Sequence, residues 1–279
     1  MFDKCSRCLA GKIKTLDKKY KYNRIYKEKI VGISMEKRGQ VTIFILIALV
    51  LVSVILIFFL WVRPTYFLEE SGGLKFEGCV RDALEETIDD LSVNAGFVNP
   101  TFTYPYEGED FTYLCYTEEY YETCVVQVPF LKNTFEEQAE RALREDVEAC
   151  YSGSISDLKV QGFDVTSGSV DYEVLLEPGV AKIQIEAPTT VGSQKFTRFN
   201  VKLNSHIYDM LMIATSILQY EAQLGDSDVT VMMGLYPDYI IDKIKRGDGT
   251  TIYILEDKVF GTKYQFASKS LVWPAGYIF

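Results

Sequence analysis

The chain has 279 residues, 48% of them hydrophobic, and a formal net charge of −10. That length accommodates one membrane span with one moderate domain or two small ones, and the acidic balance argues against nucleic acid as a partner. The charge is polarised: residues 1–38 hold 12 Lys or Arg against 4 Asp or Glu, and residues 63–279 hold 17 against 35.

The basic head, residues 1–38, has few aliphatic residues and should not fold alone. Cys5-Ser-Arg-Cys8 has the spacing of half a zinc knuckle. A structural zinc site needs four ligands, and the single histidine, His206, is distant in sequence. No metal or cofactor is assigned. The basic run also suits anionic lipid headgroups. Two readings of residues 1–34 stand: a cytoplasmic tail, or an upstream start with Met35 as the true first residue.

Gly39 to Val62 is a run of 24 residues without a charge, and 18 of them are Val, Ile, Leu or Phe. As a helix it would reach roughly 36 Å, against a hydrocarbon core of about 30 Å. The segment reads as a transmembrane helix. Positive flanking charge marks the cytoplasmic side. This places residues 1–38 inside and the large C-terminal part outside, as a single-pass protein of the cell membrane in contact with the lipid bilayer.

Lys37-Arg38-Gly39-Gln40-Val41-Thr42-Ile43-Phe44 leads straight into this run. The pattern resembles the archaeal type IV pilin-like (class III) signal segment. The resemblance implies cleavage by a prepilin peptidase between Gly39 and Gln40; an uncleaved signal anchor is the alternative. Phe44 stands where many pilins carry Glu, and Pro64 disfavours helix continuation. Both departures favour a monomeric anchor over a polymerising subunit. More broadly, the chain resembles uncharacterised single-span archaeal surface proteins, a likeness that implies topology and carries no activity.

Residues 63–75 read as a linker, with Gly72-Gly73 as its flexible point. From Phe76 to Val93 the apolar residues fall at helical spacing, with Cys79 on the apolar face. The segment from 97 to 131 then interleaves Tyr and Phe with Glu and Asp. Two readings stand for Tyr113, Tyr116, Tyr120 and Tyr121. They form a binding surface for sugars, peptides or cations, or their rings pack on neighbouring strands, the weightier reading because Tyr is a good strand former. Cys115 and Cys124 flank residues 117–123 like the ends of a closed hairpin.

Thr134-Phe135-Glu136-Glu137 fits a capping box, which predicts a helix from Thr134 to about Cys150 ended by Gly153. Cys79 and Cys150 then lie on inward faces of two helices. The expected disulfides are Cys79–Cys150 and Cys115–Cys124. From Asp157 to Leu203 the period becomes two, and LKVQGFDV, SVDYEVLLE, AKIQIEAPTTV and KFTRFNVKL read as strands of an antiparallel meander. Asn204-Ser205 caps an apolar helix that covers the sheet, with a second membrane span as a minor alternative. Residues 226–236 are ambiguous between helical turn and loop. Tyr239 to Lys245 and Thr250 to Glu256 read as a hairpin around Arg246-Gly247-Asp248-Gly249, and Lys263 to Ala267 as the last strand.

No nucleophile elbow, HExxH, phosphate loop or EF-hand loop is present in the sequence. No catalytic residue is assigned, and the expectation is a non-enzyme. The expected fold class is α+β: an N-terminal transmembrane helix at 39–62, then an extracytoplasmic domain at 76–279 with an antiparallel β-meander and about three packed helices. The expected role is a structural or adhesive cell-surface protein with a pilin-like entrance. Its expected partners are other cell-surface proteins or glycans. The alternatives are an extracytoplasmic ligand- or protein-binding module using the Tyr-rich acidic surface and, with less support, an extracytoplasmic hydrolase.

Overall fold

The computed structural model describes residues 40–68 and 74–272. The basic head, Cys5, Cys8, Gly39, the Gly72-Gly73 point and the tail from Trp273 lie outside the described residues. Residues 1–65 and 66–279 form two separate compact units.

Helix α1 spans Gln40–Leu68. It continues past Pro64, so the expected linker at 63–75 begins as helix. A proline removes one backbone hydrogen bond and costs a helix interior about 3 kcal/mol, which a long helix can carry. Side chains of α1 are described at 43–57, and all are exposed. Such a run reaches roughly 22 Å as helix; among the described residues no helix is long and apolar enough to cross a membrane.

The second unit is α+β, built of two sheets and the helices between them. Helix α2 (Leu74–Val93) buries Phe76, Val80, Leu84, Ile88 and Leu91, a stripe of period three and four. Helix α3 (Leu131–Ala142) starts one turn before the expected capping box. Leu131 is buried, so the stripe Leu131, Phe135, Ala139 fixes the start, and Thr134 lies inside the helix. The expected single helix turns at buried Leu143, and α4 (Arg144–Val160) follows. Gly153 does not end it. A mid-helix glycine costs about 1 kcal/mol, and burial of Ile155 and Leu158 beyond it outweighs that. The segment LKVQGFDV is therefore the end of α4 and a turn as far as Asp164, and only its last residue, Val165, opens the short strand β4 (Val165–Ser167).

The smaller sheet is the expected meander: β5 (Asp171–Glu177), β6 (Val180–Val191) and β7 (Gln194–Asn204), all antiparallel. Strand β4 extends the β5 edge of β6. The larger sheet is mixed. It contains β1 (Thr103–Tyr106), β2 (Glu109–Tyr116), β3 (Val125–Val126), β8 (Tyr239–Lys245), β9 (Thr250–Asp257) and β10 (Lys263–Lys269). Its order is β1-β2-β10-β9-β8, and the β2–β10 pair is parallel. A parallel neighbour so distant in sequence leaves no local signal.

Helix α5 (Ile207–Leu224) is the centre of the unit. It contacts β2, β3 and β10 of one sheet and β5 and β6 of the other. Met210, Leu211, Ile213, Ala214, Ile217 and Leu218 are buried, as a sheet-covering helix requires. Its N-cap is His206; Ser205 Oγ accepts from the Ile207 amide, and Asn204 belongs to β7. Gly225 ends α5 at φ 73°, where a Cβ would stand 2.1 Å from Val272, so only glycine fits. The ambiguous segment after it holds a short helix, α6 (Val229–Leu235), whose Asp228 cap accepts from the Thr230 amide. With α2 to α6, the unit has more helices than the three expected.

The disulfides join Cys79 of α2 to Cys150 of α4, and Cys115 of β2 to Cys124. These are the two expected pairs. The first ties the helical layer together, and the second closes the loop between β2 and β3.

Candidate binding site

Strand alternation gives the larger sheet two unlike faces. Tyr253, Leu255, Tyr264 and Phe266 point into the main core with the helices. Phe111, Tyr113, Ile252 and Ala267 form a second apolar cluster on the other face. The residues packed on that cluster are Tyr104, Tyr106, Tyr116, Ile244 and Ile254, all from strands. No helical residue is among them. This face is the candidate site.

The β1–β2 hairpin builds one end of it. Glu107 and Gly108 stand at φ 53° and 92°, the pattern of a type I′ turn. This turn fixes the register Tyr104↔Phe111 and Tyr106↔Glu109. The aromatic residues then meet edge-on. The Tyr113 and Tyr116 ring centroids are 5.0 Å apart, Phe102 lies 4.6 Å from Tyr116, and Tyr104 lies 6.2 Å from Tyr113. The Tyr113 hydroxyl shares a 2.9 Å hydrogen bond with Thr250 Oγ1.

Of the four tyrosines singled out from sequence, these contacts unite only Tyr113 and Tyr116. Tyr113 is 7% exposed and belongs to the floor, where its ring packs on neighbouring strands. The reason is the parallel neighbour: Tyr113 sits opposite Ala267 of β10, and that strand covers its flank. Tyr120 and Tyr121 are exposed in the disulfide-closed loop. That loop is clipped to the chain end by bonds from the Tyr121 amide to the Leu271 carbonyl and from the Leu271 amide to the Glu122 carbonyl. Among the described residues no ring contact joins Tyr120 or Tyr121 to the aromatic face.

Two cations already lie on this face. The Arg246 guanidinium stands 4.8 Å from the Tyr106 centroid, and Lys269 Nζ stands 5.2 Å from the Tyr116 centroid. A hydrogen bond with Tyr104 raises the Arg246 pKa. The Tyr116 hydroxyl donates to Glu118 at 2.7 Å, and this bond pushes its pKa up to about 12. Tyr106 is raised chiefly by its bond to Glu107, and Tyr113 chiefly by burial. These rings stay neutral at physiological pH.

Beside Tyr106 the face deepens into a groove of about 610 Å³ lined by Glu107, Glu109, Asp110, Phe111, Ile244 and Ile254. Val93 and Asn94, at the C-terminal end of α2, also line it, as do Lys263 and Gln265 of β10. Sequence reasoning missed Tyr104, Tyr106, Ile244 and Ile254 as one surface. The alternation of β8, β9 and β10 was legible, but the pairing of β10 with β2 was not.

His206 lies elsewhere. Its Nδ1 is 2.9 Å from buried Asp257 Oδ2, although the two atoms are not aligned for a hydrogen bond. Its ring packs on Phe260 at 4.7 Å, so it ties the start of α5 to the end of β9. Among the described residues there is no cluster of three or more His, Cys, Asp or Glu able to hold a metal ion. No family model, no curated protein and no solved structure matches this chain.

Proposed function

We propose that this is a membrane-anchored cell-surface protein whose acidic, disulfide-stapled domain acts as a non-enzymatic adhesive module. Its aromatic sheet face is the contact surface. The observation that carries this reading is the second apolar cluster, whose apolar members among the described residues all come from strands. Its floor is buried, and the half-buried Tyr104, Tyr106, Tyr116, Ile244 and Ile254 around it keep part of their surface free, which suits recognition of a protein or glycan at the cell surface.

The anchor in this reading is the charge-free run from Gly39 to Val62 within and just before α1. Ile43 to Ile57 are exposed all round, which suits lipid far better than water. Ser53 donates to the Val50 carbonyl at 2.8 Å, so its hydroxyl needs no water. The charge polarity orients the anchor with residues 1–38 in the cytoplasm. The pilin-like entrance adds a processing step by prepilin peptidase at Gly39–Gln40.

Protease treatment of intact cells tests the topology. Trypsin should release fragments of 76–279 while a cytoplasmic marker stays whole. Full protection of the domain until the cells are lysed overturns the orientation. The processed N-terminus in purified membranes should be Gln40; an N-terminus before Gly39 overturns the cleavage.

A further inference from the structure

We infer that the groove beside Tyr106 docks a basic peptide segment, holding its arginine or lysine side chains between ring faces and the carboxylates of Glu107, Glu109 and Asp110. This inference rests on the reading of the aromatic face as a contact surface and names its ligand class.

Three independent features select a cation. The face already holds two: Arg246 lies over Tyr106 and Lys269 over Tyr116. Ring faces of this geometry attract guanidinium and ammonium groups. The groove also has an excess of acceptors. Glu107, Glu109 and Asp110 line it, with Glu107 bonded to Tyr106 and Glu109 accepting from Gln265 Nε2 at 3.4 Å; among the described residues the one basic group of its lining, Lys263, is drawn towards Glu256 at 3.7 Å. Asp110 has no ion pair among the described residues. The segment between Arg81 and Lys132 contains no Lys or Arg, so the hairpin brings no cation of its own. Finally, the wall at Val93 and Asn94 is the C-terminal end of α2, where the helix dipole is negative.

The same features disfavour other ligands. An ionised carboxylate only accepts hydrogen bonds, whereas a sugar hydroxyl array needs donors and acceptors in balance. An anionic ligand would meet three carboxylates. A basic side chain meets charge-assisted acceptors on one side and a ring on the other. The groove volume of about 610 Å³ is enough for the ends of such side chains. Apolar residues between the basic ones would cover Phe111, Ile244 and Ile254.

The test uses the full-length chain in nanodiscs of neutral lipid. The probe is a short fluorescent peptide of alternating Arg and Leu, read by anisotropy. A Gln-Leu peptide and a neutral glucan oligosaccharide serve as comparison ligands. The triple variant Glu107→Gln, Glu109→Gln, Asp110→Asn should weaken the Arg-Leu peptide by about tenfold or more. A charge-matched variant at exposed sites on α3 and α4, Glu137→Gln, Glu145→Gln, Glu148→Gln, should change it by less than roughly twofold. Tyr106→Ala should weaken binding with both disulfides still formed. Equal weakening by the two triple variants means diffuse attraction to an acidic domain and overturns the groove. Unchanged binding in the groove variant overturns it as well. A glucan that binds in the peptide's place leaves the contact surface standing and overturns the cationic assignment.

Discussion

Arg246 lies over Tyr106, its guanidinium 4.8 Å from the ring centroid. The turn that carries Arg246 follows β8, and Tyr106 ends β1, at opposite edges of the sheet order. Four strand steps of about 4.8 Å each exceed the reach of an arginine side chain, so the sheet curls enough to bring its two edges together at this contact. The chain thus fills part of its aromatic face with its own cation.

A self-supplied cation competes with an external one. Removing it by Arg246→Ala should free the Tyr106 face and strengthen binding of the Arg-Leu peptide by roughly threefold. Anisotropy titration at fixed ionic strength measures this. Weaker binding in the variant would show that Arg246 helps to hold the ligand instead.

The two disulfides predict a ranking of stability losses. Cys79–Cys150 closes a long loop, with a sequence separation of 71, and Cys115–Cys124 a short one of 9. Loop-closure entropy then gives a loss of about 4 kcal/mol for the double variant Cys79→Ala, Cys150→Ala, and about 3 kcal/mol for Cys115→Ala, Cys124→Ala. Denaturant unfolding of each variant checks the order. Thiol labelling without reductant should leave Cys79, Cys115, Cys124 and Cys150 unmodified.

Buried Glu221 and half-exposed Asp226 give opposite pH responses. Glu221 accepts from the hydroxyls of Tyr253 and Ser268, the latter at 3.1 Å. Burial raises its pKa above the ordinary 4.5, and bonds to Tyr253 and Ser268 and the charge of Lys243 offset this only in part. An acid raised in the fold binds more protons folded than unfolded. Its stabilising contribution is complete below pH 4.5 and fades as pH rises through the folded value. For Asp226, burial also pushes upward, but Lys243 and Lys245 outweigh it and lower the pKa from 3.8. Its contribution is complete above pH 3.8 and is lost as pH falls through the folded value. Glu221→Gln should therefore flatten the stability profile above pH 4.5, and Asp226→Asn should flatten it below pH 3.8. Unfolding free energies across the pH range decide both.

Local pattern carried some elements unaided. The meander β5-β6-β7 follows from alternation between turns at Ser167-Gly168 and Glu177-Pro178-Gly179, because each strand pairs with its sequence neighbour. The apolar stripes of α2 and α5 likewise name their buried faces. The disulfides were legible because each cysteine sits on such a face or beside such a turn. Boundaries were less so. Thr134 offered good capping chemistry, but burial of Leu131 started α3 earlier, and Gly153 was a weak breaker inside a well-packed α4.

The sequence by itself determined the polarity of the chain, the charge-free run at 39–62, the α+β class of the rest and the cysteine pairing. The first three depend on composition or on contacts within one element and its neighbour, whereas the Cys79–Cys150 pair joins α2 to α4 and was legible from the inward helix face on which each cysteine lies. The tertiary structure alone decided which tyrosines share a surface. Tyr120 stayed apart because its disulfide-closed loop is clipped to the residues after β10, and Tyr113 became floor because β10 pairs with β2 and covers its flank. Such a pairing joins residues more than a hundred positions apart, and no periodicity within either strand encodes it.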